Sequence, residues 1–135
     1  MPNYQVVVDK EFENDLKFIL DYGYVAQKDL TIFKNQLDLE QSRLDKDWEG
    51  LSRATEYPPH SIYDYRKRYF HSIPEAFKKE RGWTDMKADF RIVFKVREER
   101  KEIFYLGIGP RIQELPKNPD DVWARLKQRP IPEES

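Results

Sequence analysis

Cysteine is absent from the chain. That excludes a disulfide framework, a cysteine zinc ribbon and a thiol nucleophile. Histidine is scarce, with two in 135 residues, so neither a dedicated metal centre nor a cofactor is expected. No run of 18 apolar residues occurs, which leaves no candidate for a membrane-spanning helix. The first residues, MPNYQVVVDK, lack a basic stretch leading into an apolar core, so no secretory signal is expected. Neither sign of charge dominates, with 24 Lys and Arg against 25 Asp and Glu. What is present is aromatic: 14 % of residues, with 39 % hydrophobic overall. Disordered chains are poor in such groups. The composition predicts a soluble, cytoplasmic protein of one domain.

The charge is unevenly placed. Residues 1–60 carry net −5, residues 61–129 net +6, and the last six residues net −2. A basic C-terminal half on a near-neutral chain marks a possible face for an acidic partner such as nucleic acid. Alternatively, these cations merely solvate surface strands and helices.

Tyr4-Gln5-Val6-Val7-Val8 is short and β-branched, which suits a buried strand. Asp9 is a good N-cap, and Glu11, Glu13 and Asp15 favour the positive end of a helix. Phe12, Leu16, Ile19 and Leu20 recur on one helical face, and Gly23 ends it. A second helix is predicted from about Ala26 to about Trp48, with Leu30, Phe33, Leu37 and Leu44 along one side. The two helices form an αα-hairpin. Residues 50–80 read as a loop-rich insert broken by Gly50 and Pro58-Pro59, with a short helix at 74–81. Residues 83–87 read as a strand and Ala88-Asp89 as a tight turn. In the next strand Phe90, Ile92, Phe94 and Val96 face one way, and Arg91, Val93 and Lys95 the other. Glu102 to Ile108 forms the last strand. A short final helix carries Val122, Trp123 and Leu126.

This order predicts an α+β fold. An N-terminal strand and an α-hairpin pack on a mainly antiparallel four-stranded sheet, with a short C-terminal helix. The domain spans residues 1–129 with an insert at about 50–80, and residues 130–135 form a tail.

Three features carry a resemblance: Asp89-Phe90-Arg91-Ile92-Val93-Phe94, the strand Ile103 to Ile108 ending in Gly109-Pro110-Arg111, and Val122-Trp123. In this order and spacing the chain resembles the RelE/ParE-like toxins of bacterial type II toxin–antitoxin systems. The match is clear over about residues 83–125 and softer over 4–48. The RelE branch cleaves messenger RNA on the ribosome. Such cleavage needs the 2′-hydroxyl deprotonated, the leaving oxygen protonated and the charge on phosphorus neutralised. Arginine suits the third task, because its fork stays charged and matches phosphate oxygens.

By the resemblance, Arg91 and Arg111 would hold the scissile phosphate, and Lys87 would lower the pKa of the 2′-hydroxyl. Lys95 shares the side of Arg91. Trp123 stands where the family has a tyrosine. Indole donates but takes no part in proton transfer, so Trp123 would stack on a base or pack in the core. Arg68 and His71 belong to a segment, residues 63–71, that interleaves aromatics with cations and suits RNA contact or an amphipathic helix. His71 is the candidate base with a pKa near neutrality. Each cation also reads as a solvent-facing residue of a strand or turn.

Three functions follow. The first is a metal-free endoribonuclease toxin acting on messenger RNA at the ribosome. The second is a ParE-like toxin that inhibits DNA gyrase without cutting RNA. The third is a non-toxic interaction protein with the same fold. Either toxin would have a cognate antitoxin protein as partner, and no membrane is involved.

Overall fold

The computed structural model describes residues 4–54, 65–84, 86–110 and Leu126. Within them the chain is α+β, with helices on a mixed sheet of five strands. The first strand, β1 (Gln5–Val8), is followed by α1 (Lys10–Asp21). Asp9 precedes the helix with extended backbone, and its N–H donates to the Tyr105 carbonyl at 3.1 Å. The start of α1 is thereby fastened to the sheet. Gly23 closes the helix with φ +75°, a conformation that costs glycine nothing.

A 3₁₀ turn (Gln27–Asp29) leads into α2 (Leu30–Leu51). The predicted end near Trp48 corresponds to a break at Asp47, whose φ of −156° and ψ of 57° are not helical. The Asp47 carboxylate accepts the N–H of Gly50 at 3.1 Å. Asp47 thus caps a fresh turn that begins at Trp48, taking the donor three residues on. The remaining elements are β2 (Arg53–Ala54), β3 (Arg66–Phe70), α3 (Glu75–Glu80), β4 (Phe90–Arg97) and β5 (Glu102–Pro110).

The strand order is β1-β5-β4-β3-β2. β1 runs parallel to β5, and the other neighbours are antiparallel. One face of the sheet buries Phe70, Phe90, Ile92, Phe94, Ile103, Tyr105 and Ile108 against Phe12 and Ile19 of α1 and Phe33 and Leu44 of α2. Each such side chain contributes about 1.5–3 kcal/mol of transfer free energy. The period-two pattern of β4 therefore holds: Phe90, Ile92 and Phe94 point to the helices. Between Val93 and Phe94 the register slips, so Leu106 is an extra residue in β5. β1 ends opposite Tyr105, and beyond it Asp15 of α1, fully buried, accepts the N–H of Ile108 at 3.0 Å. A side chain here replaces a missing strand.

The sheet differs from the expected one. It has five strands rather than four, while three of its four pairings are antiparallel. The described residues of the stretch 83–87 supply no strand; the third antiparallel strand is β3, inside the segment read as an insert. The reason is chemical. Arg66 and Arg68 occupy the helix-facing positions of β3, where an apolar pattern was sought. They are accepted there because buried partners await them. Arg68 Nε meets both oxygens of Glu40 at 3.0 and 3.1 Å, and Glu40 is 1 % exposed. Arg66 donates to Ser52 Oγ at 2.7 Å and stacks over Trp48 at 5.0 Å. The helix expected at 74–81 is present as α3, closed by Gly82 at φ +78°.

The predicted C-terminal helix lies outside the described residues, except Leu126. That residue is buried on the second face of the sheet with Tyr65, Val93, Phe104 and Leu106. No described helix is long and apolar enough to cross a membrane.

Candidate functional site

The second face of the sheet, away from α1 and α2, gathers a row of cations and aromatic rings. Alternation and register place Lys67 and Tyr69 of β3 there, with Arg91, Val93, Lys95 and Arg97 of β4 and Glu102, Phe104 and Leu106 of β5. Tyr69 lies directly opposite Arg91, and Gly109 lies on the other side of Arg91. The Arg91 guanidinium sits 5.6 Å from the centre of the Tyr69 ring, and Lys67 Nζ sits 5.9 Å from it. These are cation–π distances. Arg97 stacks over Phe104 at 4.2 Å and lies 3.7 Å from Glu102. Arg53 of β2, paired with Lys67, shares this face, so among the described residues it bears five cations and one carboxylate.

Arg91 is 8 % exposed, so its fork is held in place rather than free to swing. Lys67 and Lys95 are half-buried, and Tyr69 is exposed at the rim. Planar rings between cations form a surface that suits phosphate groups and unstacked bases.

The residues singled out in the sequence part company. Arg91 and Lys95 share the second face. Lys87 does not lie on the neighbouring strand; it is exposed in the approach to β4. The lysine on that neighbouring strand is Lys67. Arg68 points to the opposite face, where Glu40 and the Leu51 carbonyl, at 3.1 Å, occupy its guanidinium. It is a structural cation rather than a ligand contact. Arg111 and Trp123 lie outside the described residues.

His71 belongs to a different cluster, just past β3. Its Nδ1 accepts from Lys78 Nζ at 2.8 Å, and its Nε2 lies 3.6 Å from Glu75. Burial first, and the Lys78 charge second, hold its pKa below the ordinary value of 6.5. Lys78 is fully buried, and donates also to the Lys87 carbonyl at 2.9 Å and to Asp89 at 3.2 Å. Asp89 in turn accepts the N–H of Ser72 at 2.9 Å. These bonds fasten α3 across the ends of β3 and β4. With its Nδ1 lone pair engaged, His71 serves this joint and not proton transfer on the sheet face. Among the described residues no group of three or more His, Asp or Glu side chains converges to hold a metal ion.

Sequence reading missed Lys67 and Tyr69. The available signal was the alternation Tyr65, Lys67, Tyr69, which is a strand pattern once Arg66 and Arg68 are allowed an inward role.

No protein-family profile matches the chain, and no curated protein is similar to it. Among solved structures, the chain is similar to the solution structure of the conserved hypothetical protein HP0892 from Helicobacter pylori. The identity is 18 %, the alignment covers 78 % of this chain and 92 % of that one, and the TM-score is 0.38.

Proposed function

We propose that the protein is a toxin of the RelE/ParE kind that works in the cytoplasm and binds messenger RNA through the second face of its sheet. The observation that supports this reading is the grouping of Lys67, Arg91, Lys95 and Arg97 with Tyr69 on one face of a chain whose net charge is −1. The RNA phosphates pass over Lys67 and Lys95. Arg91, preset against Tyr69, takes the phosphate whose charge rises in the transition state. Lys67 stands where Lys87 was expected, beside Arg91, and favours the ionised 2′-hydroxyl. No described residue is assigned the proton transfer to the leaving oxygen. A cognate antitoxin that covers this face switches the protein off by neutralising its cations.

The test is inducible expression in a bacterial host, with growth and primer-extended messenger RNA followed together. Wild-type protein is compared with Arg91→Ala, Lys95→Ala and Arg111→Ala. Arrest with new message 5′ ends, lost in the variants, is the expected result. Arrest with intact messages would move the reading to a gyrase-directed toxin. No arrest from folded protein would leave an interaction protein.

A further inference from the structure

We propose that the pocket between the end of α2 and the outer edge of β3 is a subsite for one nucleotide of single-stranded RNA. The base lies against Tyr69, and the phosphate lies between Arg53 and Lys67. This inference rests on the RNA reading of the adjoining sheet face.

The pocket exists because β2 is two residues long. Its described pairs are with Arg66 and Lys67, so among the described residues β3 has no strand beside it at Arg68 and Tyr69. One wall is the stretch Gly50 to Arg53, and the other is Lys67 to Tyr69. The cavity measures about 280 Å³. That is at the lower edge of the size of ligand pockets, about 300 Å³ and upward, so the pocket takes no more than one nucleotide.

The charge of the walls favours an anion, against first expectation. The C-terminal end of a helix carries exposed carbonyls and repels anions. Here two guanidinium groups cover that end. Arg66 Nη2 donates to the Glu49 carbonyl at 3.4 Å and the Ser52 carbonyl at 3.0 Å. Arg68 Nη1 donates to the Leu51 carbonyl. Glu40 then offsets the charge of Arg68. Arg53 and Lys67 make no ion pair among the described residues. An incoming anion therefore meets two cations rather than a helix terminus.

The aromatic wall selects the kind of anion. Tyr69 belongs both to the pocket and to the row that contains Arg91. Lys67 likewise serves both. A ligand that uses the pocket and the sheet face together carries repeated negative charge and planar rings. Single-stranded RNA has both, whereas inorganic phosphate and a carboxylate have no ring to stack.

The test uses the full chain with two probes. One is 2-aminopurine riboside 5′-monophosphate, followed by its fluorescence. The other is a labelled tetraribonucleotide, 2′-O-methylated so that it cannot be cleaved, followed by anisotropy. The mononucleotide is expected to bind with saturable quenching. Tyr69→Leu should weaken it about tenfold, as the loss of one stacked base does. Arg53→Ala should weaken it severalfold, Tyr69→Phe should retain it, and Lys17→Ala on α1 should leave it unchanged. Absence of saturable quenching, or quenching indifferent to Arg53 and Tyr69, overturns the subsite. The tetranucleotide separates the two claims. Weakening by Lys95→Ala alone keeps the sheet-face reading and removes the subsite. Mononucleotide binding that depends on Arg53 and Tyr69, with the tetranucleotide indifferent to Lys95→Ala, does the reverse.

Discussion

Tyr105 is nearly fully buried between Phe12 and Phe94, at ring distances of 5.1 and 6.4 Å. Its hydroxyl has no hydrogen-bond partner among the described residues. Burial, and the nearby Glu40 charge, push its pKa well above the usual phenol value. A buried hydroxyl that pairs with nothing costs about 1–3 kcal/mol. Tyr105→Phe is therefore expected to raise stability by about 1 kcal/mol, read as a higher urea midpoint at unchanged m. A lower midpoint would show that the hydroxyl has a partner. His71 gives a pH dependence of definite sign. Its folded pKa is depressed, so below 6.5 the unfolded chain takes up a proton that the folded chain refuses. Stability is full above 6.5 and falls as pH drops through the folded value. The urea midpoint should decline as pH falls below about 6.5, and His71→Gln should flatten that decline. An equal slope in the variant would assign the effect to other groups. Neither residue's role was legible in the sequence, because both depend on what the fold brings near them.

At the scale of elements, apolar periodicity located α1, α2, β4 and β5 to within a few residues. It failed where polar groups take inward positions. The stretch 83–87 offered an aromatic start, but buried Lys78 engages its Trp83 ring and Lys87 carbonyl, whereas β3 hides two arginines that Glu40 and the end of α2 receive. Short-range pattern contains no sign of a partner 28 residues away. α3 depends in the same manner on Lys78, a lysine that the sequence presents as an ordinary surface residue. The break in α2 is a local matter and open to a local test. Asp47→Ala removes the cap of the last turn and should cost about 1 kcal/mol, while Asp47→Asn should cost much less. Thermal unfolding of the two variants would check this; equal losses would mean that the Gly50 hydrogen bond carries no stability.

For the whole molecule, the charge asymmetry of the sequence resolves into two layers. Acidic groups of the N-terminal half reach into the basic half and are used there: Glu40 on Arg68, Asp29 on Arg81, Asp15 on the backbone of β5. The second face gathers Arg53, Lys67, Arg91, Lys95 and Arg97. Sequence counting registered the split but not this internal neutralisation, which requires knowing that α1 and α2 lie over the sheet. Arg111 and Trp123, two of the candidates from the resemblance, fall outside the described residues. The face itself makes a quantitative prediction. If Lys67, Arg91 and Lys95 each neutralise one phosphate of a single strand, the logarithm of the binding constant should fall with the logarithm of salt concentration at a slope of about −2. Lys95→Ala should reduce that slope by about 0.7. A slope near zero would mean that the face does not meet phosphates.

The parallel pairing of Gln5 with Glu102 also sets the order in which the chain can assemble. β5 lies between β1 and β4, so a central strand of the sheet is the last of the described strands to be synthesised. The antiparallel pair β4 and β5 can close early, across a turn of a few residues. β1 must wait, its valines unmatched, until β5 has emerged about a hundred residues later. Closing so long a loop is entropically slow, and chains dominated by such contacts fold slowly. A nascent chain that stops before β5 has no centre to its sheet and no place for β1. A chain with the activity proposed above is therefore inert until β5 has been made.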